Sequence, residues 1–121
     1  MNQLTFSIGP TPATLWGPES GSVFLFVHGL GGNRREAAPF AELAVPLGWQ
    51  VLSVDLPEHG GRRDGAPLLP WAAVPELQAV DAYLRAHWRH VSLRATSIGA
   101  WLSLQSLGTV ENCLLCSPLL D

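Results

Sequence analysis

The strongest constraint on the fold comes from two mainly apolar runs, the first of them unbroken, separated by a segment with helical spacing. The runs are VFLFV at residues 23–27 and VLSVD at residues 51–55, of the kind expected for strands buried on both faces of a sheet. Between them a glycine loop gives way to a segment in which Phe40, Leu43 and Leu47 share one helical face. A helix that joins two such strands predicts a right-handed βαβ unit with a parallel sheet.

The remaining segments extend this unit at both ends. Residues 4–8 alternate apolar and polar side chains, and a second short run follows turn residues, so an antiparallel hairpin is predicted. Helical spacing resumes at about residue 75, and strand and helix patterns then alternate to the end of the chain, with a strand at 91–95, a helix at 98–107 and a strand at 112–116. We therefore expect one α/β domain over residues 1–121, with a mostly parallel sheet, an antiparallel N-terminal hairpin and helices on both faces.

The composition disfavours several classes of partner. Apolar residues make up 47% of the 121 residues, charged residues make up 14%, and the formal net charge is −3. The basic residues form two arginine doublets but no stripe, so a nucleic-acid partner is not expected. The N-terminus lacks a signal-peptide pattern, and no apolar run is long enough to span a membrane. The expected location is the cytoplasm.

A serine between the strand at 91–95 and the following helix has the surroundings of a nucleophile. Residues 94–101 read RATSIGAW, with Ala95 and Gly99 two positions on either side of Ser97. A sharp strand-to-helix turn strains the backbone of its central residue and leaves room only for small neighbours. The hydroxyl would then stand at the N-terminus of the helix, where N–H groups stabilise negative charge. The alternative is a serine that caps the helix, because serine is a preferred N-cap residue.

The glycine loop after the strand at 23–27 offers the second part of a catalytic site. The sequence VHGLGG occupies residues 27–32. Such a loop can present backbone N–H groups to an oxyanion, and the N–H of Leu30 would pair with that of Ile98 as two donors. We expect His28 to be hydrogen-bonded to backbone groups and to shape the loop, not to act as a base.

Three segments, taken in order, carry a resemblance to a known family. FLFVHGLGG, VLSVDLPEHGG and ATSIGAW resemble the oxyanion loop, the following D-x-P-x-H-G-like segment and the nucleophile turn of the α/β-hydrolase family. The resemblance implies that Ser97 is the nucleophile and that Leu30 and Ile98 bind the oxyanion through their N–H groups. It also implies a serine hydrolase that cleaves small-molecule carboxylic esters or thioesters through an acyl-serine intermediate, with no cofactor and no metal.

The sequence departs from the family in the residues that should assist the serine. The family orders its catalytic residues as serine, acid and histidine, yet no histidine follows Ser97. The simplest explanation is an amino-terminal part of a hydrolase that lacks the C-terminal strands, with weak or no activity as this chain. The strand at 112–116 would then be an open apolar edge, which predicts self-association. In addition, Ala95 replaces the usual glycine, and Arg94 places a charge in a strand expected to be buried.

Other interpretations of individual motifs stay open. His59, with Asp55 and Glu58, lies on a loop at the functional edge of the sheet and could approach Ser97 or bind a metal. GLGGNR followed by Asp55 is also similar to a dinucleotide-binding loop, although Arg34 occupies its third glycine position. A non-catalytic scaffold or interaction protein that retains the hydrolase frame is a third possibility.

The two cysteines form a C-x-x-C motif inside the strand at 112–116. Residues three apart in a strand point to opposite faces, so Cys113 and Cys116 do not form a redox or zinc pair of the usual kind. We expect them to be buried structural thiols.

Overall fold

The computed structural model describes residues 2–116 and contains a six-stranded sheet with helices on both faces. In chain order the elements are β1 (Gln3–Ile8), β2 (Thr11–Trp16), β3 (Ser22–Val27), α1 (Ala38–Ala44), β4 (Gln50–Val54), α2 (Pro70–His87), β5 (His90–Thr96), α3 (Ile98–Ser106) and β6 (Cys113–Cys116). The strand order across the sheet is β1-β2-β4-β3-β5-β6. The β1–β2 and β2–β4 pairs are antiparallel, and the other three pairs are parallel. The predicted fold class is therefore confirmed.

Strand β3 shows how the two faces of the sheet are built. Val23, Leu25 and Val27 are fully buried and pack in a core with apolar residues of α2 and α3. Phe24 and Phe26 point to the other face and pack against α1. Both sets are apolar because both faces of the strand are covered, and each buried side chain of this size contributes about 1.5–3 kcal/mol.

Helix α1 meets the sheet through its alanines and through Phe40, which packs against Phe24 and Phe26. Ala41 and Ala44 are buried, whereas Leu43 is 70% exposed and Leu47 is 74% exposed. The small side chains allow the helix to lie close to the sheet, and Leu43, together with Leu47 in the short turn after α1, is left exposed. Together with Phe40 and Leu114 of β6, the leucines line an open apolar groove of about 280 Å³.

Helix α2 begins at Pro70, earlier than the sequence pattern indicated. Leu69 is extended and Pro70 occupies the first turn, where proline has no hydrogen bond to lose and its fixed φ favours the helix. Pro75 therefore lies inside the helix and does not begin it. Within residues 2–116 no helix, including this one, is long and apolar enough to cross a membrane.

Strands β5 and β6 contain an arginine in a buried strand and two thiols that were expected to be buried. The guanidinium of Arg94 lies 5.8 Å from the ring centroids of both Phe26 and Phe40, and a cation over an aromatic face accounts for a half-buried arginine in β5. Cys113 and Cys116 lie in β6 as predicted, but both are exposed. The prediction that they are buried is wrong, because in the described part of the chain β6 pairs on one side only, with β5.

Candidate active site

Ser97 forms a strained turn between β5 and α3. Its backbone has φ 56° and ψ −124°, a left-handed conformation that favours glycine, and Glu58 is the other described non-glycine residue with positive φ. The N–H of Ser97 donates to the carbonyl oxygen of Cys116 at 2.9 Å, and its own carbonyl accepts from Ala100 at 3.0 Å. The side chain makes no capping hydrogen bond to α3, so the interpretation of Ser97 as a helix cap is wrong.

Small residues surround this turn because larger ones would collide with the backbone. Ala95 is fully buried. A Cβ atom at Gly99 would lie 2.9 Å from the carbonyl oxygen of Val27 and closer still to that of His28. A Cβ atom at Gly29 would lie 3.1 Å from the Cβ of Ser97. The glycines therefore permit close packing between the turn, α3 and the loop after β3.

The loop after β3 and the Ser97 turn enclose an open cleft of about 230 Å³. Its lining consists of Gly29, Leu30, Gly31, Gly32, Glu36, Thr96 and Ser97. Among residues 2–116, neither the N–H of Leu30 nor that of Ile98 donates to a protein acceptor. Leu30 lines the cleft together with Ser97, and Ile98 follows Ser97 in the chain. Unengaged backbone N–H groups are donors that can stabilise a developing negative charge.

His28 holds the start of the loop after β3 to the end of β4. The Leu56 N–H donates to its Nε2 at 3.0 Å, so the hydrogen lies on Nδ1 and is donated to the Gly29 carbonyl at 2.7 Å. The side chain is fully buried, and this burial lowers its pKa from the ordinary value of 6.5. Both ring nitrogens are engaged by backbone groups, as the sequence analysis expected of a residue that shapes the loop.

His59, on the loop after β4, also forms hydrogen bonds with backbone groups through both ring nitrogens. The Gly31 N–H donates to its Nε2 at 2.9 Å, and its Nδ1 donates to the Pro57 carbonyl at 2.8 Å. The ring centroids of His28 and His59 are 5.0 Å apart. Because both nitrogens of His59 are also engaged, it links the two loops and has no free nitrogen to offer to Ser97.

The other two histidines lie at the opposite end of β5. His90 is the first residue of the strand and His87 ends α2, whereas Ser97 follows the last residue of the strand. At about 3.3 Å per residue, the length of β5 separates them from Ser97 by about 20 Å. None of the four histidines is therefore placed as a base for Ser97 within residues 2–116.

Asp55 is a structural residue of the site, which the sequence analysis did not foresee. It is fully buried, its Oδ1 accepts from the Arg34 N–H at 2.8 Å, and its Oδ2 accepts from the Gly61 N–H at 3.0 Å. Oδ2 also pairs with the Arg34 guanidinium. The carboxylate is thus not free to bind a ribose, which removes one of the two observations that suggested a dinucleotide-binding loop. The described residues contain no cluster of His, Cys, Asp or Glu that could hold a metal ion.

Glu36 is a cleft residue that the sequence analysis also missed. Its Oε2 accepts from the Asn33 N–H at 3.2 Å, while the Asn33 side chain accepts from the Arg35 N–H at 2.8 Å. This is a capping box, and the N-x-x-E spacing at residues 33–36 was the signal that could have located it. The box fixes the end of the loop that presents Leu30.

Comparison with known proteins identifies relatives at the level of family and fold. Residues 24–121 match the alpha/beta hydrolase family. MenH from S. aureus is a similar solved structure, with 18% sequence identity and a TM-score of 0.70 over 85% of this chain and 41% of MenH. A laboratory-evolved variant of potato epoxide hydrolase is also similar, with 17% identity and a TM-score of 0.70 over 92% of this chain and 39% of that protein. A third similar structure is a thioesterase domain from the Curacin biosynthetic pathway, with 21% identity and a TM-score of 0.67 over 84% of this chain and 37% of that domain's chain. The chain thus spans about two fifths of the length of these proteins, and no curated protein sequence matches it.

Proposed function

Because the chain belongs to the alpha/beta hydrolase family, we propose that it carries the nucleophile half of a serine hydrolase. The substrate class is a small-molecule carboxylic ester or thioester, and the thioesterase domain among the similar structures agrees with the second of these. The observation that supports the proposal best is the backbone of Ser97, whose positive φ turns the residue out of the regular path between β5 and α3. Strain of this kind is retained where the surrounding structure enforces it, often at active sites.

The proposed reaction begins when the Ser97 hydroxyl attacks the carbonyl carbon of the substrate. The carbonyl oxygen becomes an oxyanion that accepts hydrogen bonds from the N–H groups of Leu30 and Ile98. Collapse of this intermediate breaks the carbonyl–O or carbonyl–S bond, and the leaving group takes up the proton lost by Ser97 to become the alcohol or thiol. Water then hydrolyses the acyl-serine to a carboxylic acid and free Ser97. The hydroxyl proton needs a base during attack, and the ring nitrogens of His28 and His59 are already engaged.

Weak intrinsic activity of the 121-residue chain follows from the absence of a base near Ser97 within residues 2–116. In serine hydrolases that lack a member of the triad, oxyanion stabilisation and binding still give about 10³–10⁴-fold acceleration over water. We therefore propose slow acylation with little turnover. Covalent labelling is a better test than steady-state hydrolysis, because it requires only the first chemical step.

The test is reaction of the chain with a fluorophosphonate, followed by intact mass and peptide mapping. Labelling at Ser97 that is lost in Ser97→Ala but retained in Ser20→Ala supports the proposal. Ser20 is a matched control because it is a half-buried serine whose Oγ donates to the Gly48 carbonyl, far from the cleft. Equal labelling of the wild type and Ser97→Ala would contradict it.

A non-catalytic scaffold is the second candidate, and the engagement of His28 and His59 by backbone groups favours it. This candidate predicts that the wild type and Ser97→Ala hydrolyse p-nitrophenyl acetate and p-nitrophenyl butyrate at equal rates. A higher rate for the wild type with either ester would exclude it.

We also propose self-association through β6. Within residues 2–116 this strand pairs on one side only, and Leu114 is 47% exposed beside the apolar groove. Sedimentation velocity should show dimers or larger species that Leu114→Lys reduces. Leu104→Lys is the matched control, because Leu104 is 57% exposed on α3. A monomer at all concentrations would contradict this proposal.

A further inference from the structure

The arginines of this chain are concentrated beside the Ser97 cleft. All seven basic residues are arginines, and four of them form the doublets Arg34–Arg35 and Arg62–Arg63. The doublets lie on the loops after β3 and β4. The structure brings these loops together around a second cleft of about 320 Å³, whose lining consists of Asn33, Arg34, Arg35, Gly60, Gly61 and Arg63.

One arginine of each doublet forms ion pairs with carboxylates of the same chain. The Arg34 guanidinium pairs with buried Asp55 and donates through Nε to Thr14 Oγ1 at 3.0 Å. Arg62 is buried and binds the carboxylate of Glu76 at 2.9 Å and that of Asp64 at 2.8 Å. The hydrogen bond to Glu76 is the main reason that the pKa of Arg62 is raised. These two arginines hold the loops in place.

The other arginine of each doublet is exposed at the cleft. Within residues 2–116, neither Arg35 nor Arg63 pairs with a carboxylate. In the described part of the chain, the Arg63 side chain donates only to the carbonyl oxygens of Arg62 at 2.7 Å and of Gly60 at 3.3 Å. Since Asp55 neutralises Arg34, the cleft keeps two positive charges that no described acid balances, in a chain with a net charge of −3.

Asp55 fixes the distance between the two walls of this cleft. It accepts hydrogen bonds from Arg34 on one wall and from Gly61 on the other. Gly60 has φ +59°, and a Cβ atom there would overlap the Asp55 carboxylate, so glycine is required for this approach. The walls are therefore held in place without a ligand, which lowers the entropic cost of binding one.

We propose that this cleft binds a phosphate group, carried as a monoester by a small molecule. Guanidinium groups match phosphate oxygens in geometry and charge, and two unbalanced arginines suit one dianionic group. A volume of about 320 Å³ holds a phosphate and part of its carrier. Gly32 lines the Ser97 cleft and Asn33 lines the arginine cleft, so the two sites adjoin along one loop.

The test measures binding of inorganic phosphate and of glycerol phosphate to the full 121-residue chain by isothermal titration calorimetry. Ionic strength is held constant with sodium chloride, because exposed arginines bind many anions weakly at low salt. Both ligands should bind, glycerol phosphate at least as tightly as phosphate, and glycerol alone should not. Tighter binding of free phosphate than of glycerol phosphate would overturn the part of the proposal that specifies a carried monoester.

Variants of the exposed arginines locate the site. Arg35→Gln and Arg63→Gln should each weaken binding by about tenfold or more, because a hydrogen bond to a charged group has about that effect. Both residues are exposed, so the fold should persist, which circular dichroism checks. Arg89→Gln is the matched control, since it removes an exposed arginine at the other end of β5. Undetectable phosphate binding, or an equal loss in Arg89→Gln, would overturn the proposal.

Discussion

Gly99→Ala should destabilise the protein strongly, although alanine is normally the better helix residue. Replacing glycine by alanine in a helix favours folding by about 1 kcal/mol, through propensity and a less flexible unfolded chain. At Gly99 the new methyl would lie 2.9 Å from the Val27 carbonyl oxygen and nearer still to that of His28. An ordinary carbon-to-oxygen contact is about 3.3 Å or longer, so the first turn of α3 must move away from β3.

The magnitude follows from the kind of atoms that collide. Overpacking a core costs about 1–3 kcal/mol where side chains can adjust, and occasionally more. Here both obstacles are backbone carbonyls at the end of a central strand, which cannot rotate away. We therefore expect a net loss of about 2 kcal/mol or more after the helix gain is subtracted. Total stability of a domain is about 5–15 kcal/mol, so the loss is a sizeable part of it.

Urea unfolding followed by tryptophan fluorescence measures this effect. With a slope of about 1–3 kcal/mol per molar urea, the midpoint of Gly99→Ala should fall by about 1 M. Gly21→Ala is the matched control, because a methyl group at Gly21 would meet no heavy atom within 4 Å and the residue has no positive φ. A Gly99→Ala midpoint at or above that of Gly21→Ala would refute the packing argument.

Three further perturbations test other parts of the structure. Asp55→Asn breaks the buried pair with Arg34 and should lower the free energy of unfolding by about 3 kcal/mol in urea titrations. Ser97→Gly should be more stable than Ser97→Ala by about 1 kcal/mol, because only glycine relieves the positive φ. Burial lowers the pKa of His28, so the unfolded chain binds the proton first. Stability measured by urea titration should therefore fall as the pH drops below about 6.5.

Controls for these three experiments come from the same chain. Asp81→Asn removes a surface ion pair with Arg85 and should change the free energy of unfolding by no more than about 0.5 kcal/mol. If Asp55→Asn had an equally small effect, the ion pair of Asp55 with Arg34 would not stabilise the fold. Equal stability of Ser97→Gly and Ser97→Ala would show that the turn is not strained. For the pH series, the loss of stability at low pH should be the same in His87→Gln as in the wild type. If His87→Gln showed no such loss, the effect would belong to this exposed histidine and not to His28.

The parts of the fold that sequence predicts are those with a local signal. Strands β3 and β4 appear as mainly apolar runs because both of their faces are covered. The Ser97 turn is recognisable because its steric demand falls on neighbours two positions away. Spacing shows that Phe40, Leu43 and Leu47 share a face, but it does not show that Phe40 packs on the sheet while both leucines are exposed.

The roles of His59 and Asp55 could not be predicted for a different reason. His59 is bonded to Gly31, 28 positions earlier in the chain, and Asp55 is bonded to Arg34, 21 positions earlier. Contacts of this kind depend on how two loops meet after the sheet has formed. Residue type alone suggested a metal ligand or a ribose-binding acid, while the structure shows that both side chains fasten the backbone.

The buried hydrogen bonds that hold the loops after β3 and β4 leave other positions of these loops free to vary. Buried His28 and Asp55 set the course of the backbone, whereas the side chains of Leu30, Arg35 and Arg63 project outward from it. Substitutions at the outward positions leave the anchoring bonds intact. Libraries randomised at those three codons should accordingly yield mostly folded members, so that new ligand preferences can be selected on an unchanged frame.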